Sequence, residues 1–409
     1  MTYRLTPPVA CLLLACLLGV AACSEIEEIG PARDGAADAA TLSAYLPTVE
    51  LAIDADDFAE MTDRPKDDLE VDADVTLWRE GRELLLARPA EVQVKGNYST
   101  RFAAKSLGIK FDDALEAEEC AAFRPPVVRD GHRLDRIKTL RLRNGGNEFE
   151  GTLIKDLAYA RMLAASDLRP VCLYGEPAAA FVNGEFYSLL NLRTEHNRNG
   201  LSRLLDVDEE RLAIAKVNYE HPLVVKDGRE GFWEEFEATL ATRDPEAVGA
   251  AIDEDDFIDF LVAGSIFGTW DWPWGNVRLY SVDEGPVRFV LFDFDPAAAM
   301  HTEYSVLELL RDGPDSPIRR AFEVCYAQPR WRARFEARYA EVMASGQLSP
   351  EALRRELQAL AAVLDPVIHL QTARYGFPSS GPQWYADLER VVSDYALRYD
   401  QLTLTPRRG

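Results

Sequence analysis

Cysteine is scarce in this chain: six among 409 residues, three of them crowded at positions 11, 16 and 23. The other three, Cys120, Cys172 and Cys325, lie far apart, lack the spacing of a metal site and form at most one disulfide. Cysteine chemistry is therefore excluded as the carrier of function. Basic residues are also in deficit, 45 Lys and Arg against 69 Asp and Glu, for a formal net charge of −24. A chain so short of cations has no basic face for a phosphate backbone, which excludes nucleic acid and leaves basic or neutral partners. The near-unbroken apolar run at residues 9–20 is too short to span a bilayer as a mature helix. No internal repeat is present.

What the N-terminus does contain is a short basic start, Met1-Thr2-Tyr3-Arg4, then that apolar run, then Val20-Ala21-Ala22-Cys23. The order resembles a bacterial lipoprotein signal, cleaved before a cysteine that is then acylated. The expectation is a signal peptide at residues 1–22 and a lipidated Cys23, with several acyl chains anchoring the protein stably in the cell envelope. Ser24 after Cys23 favours the outer over the inner membrane. Residues 23–44 are small, acidic and punctuated by Pro and Gly, as in a disordered tether, so folding is expected from residue 45 to residue 409.

Strand signals dominate the first half. Apolar and polar residues alternate at residues 48–53, 74–78 and 90–94, and the segments 107–111 and 138–142 continue the pattern. Residues 152–165 carry apolar side chains at helical spacing, and residues 178–182 and 185–190 flank Asn183-Gly184 as a hairpin. The second half reads as helices at residues 206–213, 231–241, 245–252 and 255–268, then 318–343, 350–364 and 383–402. A two-strand insert, residues 277–281 and 288–292, interrupts them. The fold class is α+β, with a β-rich lobe over about residues 45–200 and a mostly helical lobe over about residues 201–409.

Chemistry concentrates around that insert. Trp270-Asp271-Trp272-Pro273-Trp274-Gly275-Asn276 precedes its first strand and Phe292-Asp293-Phe294-Asp295 follows its second, so antiparallel pairing gathers Asp271, Asn276, Asp293 and Asp295. An Asp with an Asn five residues on, followed by further Asp residues, is how phosphoryl-transfer enzymes hold a base and divalent metals against a nucleotide triphosphate. Asp271 is the candidate base, and Asn276, Asp293 and Asp295 are hard oxygen donors suited to Mg²⁺ or Mn²⁺. Were residues 292–295 a strand, Asp293 and Asp295 would share one face. A second reading makes Asp-x-Asp a cap on the Pro296-Ala297-Ala298 turn. Of the three Trp residues, core positions are expected rather than an exposed stripe.

Upstream, Val94-Lys95-Gly96-Asn97-Tyr98-Ser99-Thr100-Arg101 leaves a strand with hydroxyls, amides and cations together. It is either a phosphate cradle of less glycine density than a P-loop or a hairpin turn. Lys105 precedes a strand, pointing inward to a triphosphate or out to solvent. Glu195 either pairs with a buried lysine or sits as a helix N-terminal charge.

These pieces together resemble the spore-coat protein CotH kinase family, an atypical branch of the protein-kinase-like fold. The resemblance runs through Lys95-Gly96-Asn97-Tyr98-Ser99-Thr100 with Lys105, Leu140-Arg141-Leu142-Arg143-Asn144, and Phe181-Val182-Asn183-Gly184-Glu185-Phe186-Tyr187 on to Glu195. It continues through Trp270-Asp271, Asn276-Val277-Arg278-Leu279-Tyr280 and Phe292-Asp293-Phe294-Asp295, from about residue 92 to residue 298. It implies a bilobal kinase-like fold, ATP with Mg²⁺ or Mn²⁺, and transfer to Ser or Thr of a secreted or envelope protein. Asp271 would be catalytic, and Asn276, Asp293 and Asp295 would hold metal. Lys95, Asn97, Ser99, Lys105, Arg141 and Glu195 would serve the nucleotide. Lys95 and Tyr98 depart from the family's usual Arg-Gly-Asn-Ser-Ser, and Ala104-Lys105 stands where the family has two lysines. The alternatives are a membrane-anchored adhesion or assembly protein with no turnover, and a metal-assisted hydrolase built on the same carboxylates.

Overall fold

The computed structural model describes residues 38–123, 134–217, 223–298, 306–312, 314–402 and 404. Cys23 and the whole signal segment lie outside the described residues, and no described helix is long and apolar enough to cross a membrane.

Alternation at period two makes the first half a sheet that rolls up. β1 (Thr48–Ile53), β2 (Glu70–Arg79), β3 (Arg82–Lys95), β4 (Ser106–Leu115), β5 (Ile137–Arg143), β6 (Gly175–Val182) and β7 (Glu185–Arg193) close into a barrel in the order β1-β2-β3-β4-β5-β7-β6. Every neighbouring pair is antiparallel except β1 and β6, whose parallel pairing of Thr48 with Ala179 closes the ring. Val49, Leu51, Val75, Leu77, Val92, Val94, Leu107 and Ile109 fill the core, as every second residue of a strand must when one face is buried. The β6–β7 turn needs two consecutive left-handed residues, and Asn183 and Gly184 supply them at φ 51° and 81°. Asn183 also accepts from the Ile53 N–H at 2.9 Å and donates to the Ile53 carbonyl at 2.8 Å, tying the turn to β1.

Ordered structure is present before residue 45. Residues 39–42 form a helical turn capped by Asp38, with Ala39 and Leu42 buried against the barrel. Two well-placed apolar side chains suffice to dock a turn that a composition average hides.

A second sheet, β11-β10-β8-β9, replaces the expected two-strand insert. It comprises β8 (Leu212–Val217), β9 (Val224–Asp227), β10 (Val277–Val282) and β11 (Arg288–Leu291). The helix expected at residues 206–213 is absent. Instead a helix at Arg198–Leu205 stops at Asp206, φ 53°, and after a 3-10 turn at Glu209–Arg211 the chain enters β8. The polar stretch before Leu212 caps and turns the chain, whereas the apolar residues after it pair with β10 and are buried on both faces.

Helix Lys155–Ala164 is buried along nearly its whole length, and its Tyr159 meets Phe267, Phe294 and Tyr395 at ring-centroid distances of 5.2–6.3 Å. Helix Glu254–Phe267 is equally enclosed. The helix expected over residues 318–343 is two, Pro317–Ala327 and Pro329–Ser345. Pro329 cannot continue a helix and holds Gln328 extended. Helices Pro350–Leu364 and Gly381–Gln401 fall where the periodicity put them. The α+β class holds, and the described residues from Asp38 on form one compact unit.

Candidate active site

The strand register brings distant motifs to one opening. Val277 of β10 pairs with Leu291 of β11, so Asn276 and Asp293 leave the sheet at the same end. There a cleft of about 810 Å³ is lined by Asn97, Ser99, Arg141, Asp271, Asn276, Asp293 and Asp295, seven of the residues singled out above.

Asp271 is held by what surrounds it. Helix Glu254–Phe267 ends at left-handed Gly268, φ 57°, and the chain then turns through residues 269–276. Within that turn Trp272 is buried against Gly264, where an added Cβ would lie 2.2 Å from the indole, while Trp270 is exposed at the cleft and Trp274 half-buried. The three Trp residues therefore divide between core and surface. Asn276, at φ 50°, donates its amide to Asp271 Oδ2 at 2.8 Å and also to Asp293 Oδ2.

Residues 292–295 are not a strand, since β11 ends at Leu291 and Asp293 takes φ 68°. Asp293 and Asp295 converge nonetheless, because both accept from Nη2 of Arg143, Asp293 at 2.6 Å. Arg143 Nε lies 3.0 Å from Asp156, which also pairs with Arg193 and accepts from the Phe294 N–H at 2.6 Å. The cap reading of Asp-x-Asp is not realised, since Asp295 accepts instead from the Asn147 N–H at 2.8 Å. Burial and the adjacent Asp293 charge raise the Asp295 carboxyl to about 8, against the pull of Arg143. Burial also disfavours ionised Asp156, but Arg193 and Arg143 overcome it and hold its carboxyl below the usual range. The Asp293 side chain keeps 24% of its surface exposed and Asp295 only 3%, so Asp293 is the more open of the two.

Cations line the same cleft. Arg141 donates to Glu195 at 2.8 Å. Burial works against the Glu195 carboxylate, yet Arg141 and then His196 bring it down to about 2. His196 is pushed to about 3 by burial and by Arg278, so it is neutral, and its carbonyl accepts from Arg278 at 2.8 Å. Arg278 lies opposite Lys216 in the β10–β8 register. Burial lowers both, Arg278 to about 10, and Arg278 further depresses Lys216 while Asp293 and Asp271 oppose that shift. Two cations so crowded are a site for an anion.

Two expected contributors stand apart. Lys105 donates its ammonium to the Phe102 carbonyl at 2.6 Å and is absent from the cleft wall. Lys95 donates to Gln93 and also stays behind the wall, where burial lowers its ammonium and Glu195 partly offsets that. The buried partner of Glu195 is thus an arginine, not a lysine. Loop 96–101 is a 3-10 turn after Gly96, φ 117°, where a Cβ would strike Ser99 Oγ at 2.4 Å. Asn97 accepts from Lys66 through its carbonyl and its side chain, at 2.6 and 2.7 Å.

Sequence reasoning quoted Arg143 and Arg278 within motifs but gave them no role, and it passed over Asp156, Arg193, His196 and Lys216. For Arg143 a signal existed: it follows Arg141 by two on one strand, and period two gives both the same face. For Lys216 none existed while its neighbourhood read as helix.

Divalent metal suits this donor set. Among the described residues no three His, Cys, Asp or Glu side chains gather into an all-protein cage. Mg²⁺ does not demand one, being held by one or two carboxylates plus waters and substrate phosphates.

Fold and cleft together define an α+β protein whose cleft is lined by both carboxylates and cations. The family model for the CotH kinase protein matches residues 92–402, and the chain belongs to the CotH kinase family. The match runs past residue 298, so the C-terminal helices belong to the family domain too. Kinase-like phosphoryl transfer, with ATP and a divalent metal, is the class of activity the family suggests. No curated protein matches the chain.

Proposed function

We propose that the protein is a metal-dependent, kinase-like phosphotransferase that moves the γ-phosphoryl group of ATP to Ser or Thr of secreted or envelope proteins. The observation that carries this reading is the Asn276 amide joined to both Asp271 and Asp293 in a cleft also lined by Arg141, Lys216 and Arg278. Asp271, oriented by Asn276, accepts the proton of the attacking hydroxyl. Lys216, Arg278 and Arg141 offset phosphate charge, and the turn from Asn97 to Ser99 covers the phosphates. Asp293 and Asn276 would hold Mg²⁺ or Mn²⁺, with Asp295 behind them, and that ion supplies charge neutralisation at the phosphates when bound. Arg143 positions both aspartates and touches no reacting atom.

A bilobal kinase-like arrangement, the strand-rich half as one lobe and the helical half as the other, would go with this reading. Lipidation at Cys23 would place the activity on the envelope, tethered to the outer membrane.

The deciding experiment incubates the protein with γ-labelled ATP, Mg²⁺ or Mn²⁺ and a Ser-rich acceptor, beside Asp271→Ala and Asp293→Ala. Label on the acceptor that both substitutions remove supports the proposal. Free phosphate without labelled acceptor indicates a hydrolase. Undiminished labelling by a folded Asp271→Ala sinks the assignment, and no turnover with no metal-dependent ATP binding leaves the non-enzymatic anchored protein.

A further inference from the structure

The turn from Asn97 to Ser99 carries one side chain, Tyr98, that the phosphotransfer reading leaves unused. Tyr98 lines the cleft and is 56% exposed, so its ring adds little to the core. The turn around it is fastened. Lys66 donates to the Asn97 carbonyl and side chain, Thr100 Oγ1 donates to the same carbonyl at 2.8 Å, and Phe102 is buried against Phe149 with ring centroids 5.4 Å apart. An aromatic ring held on an anchored turn, yet kept out of the core, is a contact surface rather than packing.

Only one face of that ring is taken. The Arg101 guanidinium carbon stands 3.6 Å from its centroid, a cation–π stack, and Phe102 meets it in a T-shaped contact at 6.5 Å. With Arg101 covering one face, the exposed area belongs to the other face and the rim. The cleft has a second exposed aromatic, Trp270, which directly precedes Asp271. Asp271 meets the attacking hydroxyl and hence the γ-phosphate end of the nucleotide. The base lies at the other end of the triphosphate, so Trp270 falls to the acceptor and Tyr98 to the nucleotide. A cleft of about 810 Å³ is large enough to take base and ribose as well as phosphates.

We propose that Tyr98 is the nucleobase platform of the cleft: adenine stacks on the ring face opposite Arg101, while the amides and hydroxyls of the same turn meet the phosphates. Under the phosphotransfer reading, on which this role rests, Tyr98 makes the cleft a site for a nucleoside triphosphate rather than for bare polyphosphate. Stacking needs only the π-face that every base has.

The test measures binding to the full chain by calorimetry in Mg²⁺, comparing ATP with inorganic tripolyphosphate, and needs no turnover. ATP should bind the wild type more tightly than tripolyphosphate. Tyr98→Ala should weaken ATP by at least about fivefold, the low end for one base on one aromatic ring, and leave tripolyphosphate unchanged. Tyr98→Phe should keep the ATP affinity, since the ring and not the hydroxyl stacks. Should Tyr98→Ala fail to fold, Tyr98→Leu, apolar but without a ring, decides in its place. ATP affinity retained by the folded variant, or a loss that tripolyphosphate shares, overturns the proposal and leaves the phosphotransfer reading standing. So does weakened binding of the acceptor with none of ATP, which puts Tyr98 on the acceptor side. A wild-type chain that binds neither ATP nor tripolyphosphate overturns the phosphotransfer reading and this role with it.

Discussion

The guanidinium of Arg143 lies 2.6 Å from the carboxylate of Asp293, a residue 150 positions further along the chain. The same nitrogen reaches Asp295, and the same side chain meets Asp156, so one cation from the barrel organises one acid of helix Lys155–Ala164 and two that follow β11. The position of Asp293 in the cleft is thus decided by a strand of the opposite half of the fold.

Arg143→Met should destabilise the metal-free protein by about 3–5 kcal/mol, because it leaves buried carboxylates uncompensated. Denaturant unfolding measures this, and added Mg²⁺ should recover part of the loss. An unchanged midpoint would mean the acids are not compensated through Arg143.

Asp271→Asn keeps the volume and an oxygen for the Asn276 amide but removes the base. Phosphotransfer should fall by about 10²- to 10⁴-fold, with an unaltered melting temperature and unaltered ATP binding. Single-turnover labelling together with a binding titration separates the two. A matching loss of ATP affinity would assign Asp271 to binding instead.

Gly264 has no contact with the cleft, yet Gly264→Ala should impair it. The added Cβ would overlap the Trp272 ring, forcing the Asp271 turn outward at a cost of about 1–3 kcal/mol. Trp fluorescence and labelling rate should change together.

Two buried acids give stability opposite pH slopes. Burial first, and Asp253 second, raise Asp256 from 3.8 to about 8, so the folded state keeps a proton the unfolded chain releases. Its contribution is full below about pH 4 and disappears as pH climbs through about 8, and Asp256→Asn should flatten that limb of the melting profile. Glu195 has the other sign: Arg141 and His196 outweigh burial and lower it from 4.5 to about 2, so its contribution is present above 4.5 and lost as pH falls toward 2. Glu195→Gln should remove acid sensitivity only in that lower window.

Much of the site could be read before folding. Asp271, Asn276, Asp293 and Asp295 sit beside turn signals and strand ends, where local pattern carries through to geometry. The rest depended on neighbours that chain order does not reveal. Lys216 and Arg278 meet only because β8 pairs with β10, and β8 could not be told from a helix by a short apolar run whose burial depends on its neighbours. Lys105 and Lys95 were assigned by order in the chain, but a long flexible ammonium takes whichever acceptor is nearest, here the Phe102 carbonyl and Gln93.

The sequence alone determined the elements whose stability is local: the alternating strands of the barrel, the Asn183-Gly184 turn, the proline-started C-terminal helices and the clustering of Asp271 with Asn276. Tertiary structure decided which charges face one another. Arg143 clamping Asp293 and Asp295, Arg141 replacing a lysine beside Glu195, and Arg193 pairing with Asp156 all join residues far apart in the chain. Such pairings are set by the closure of the barrel and the packing of helix Lys155–Ala164 against it, since the interaction of two charges depends on their distance and burial, neither of which is a property of the chain order.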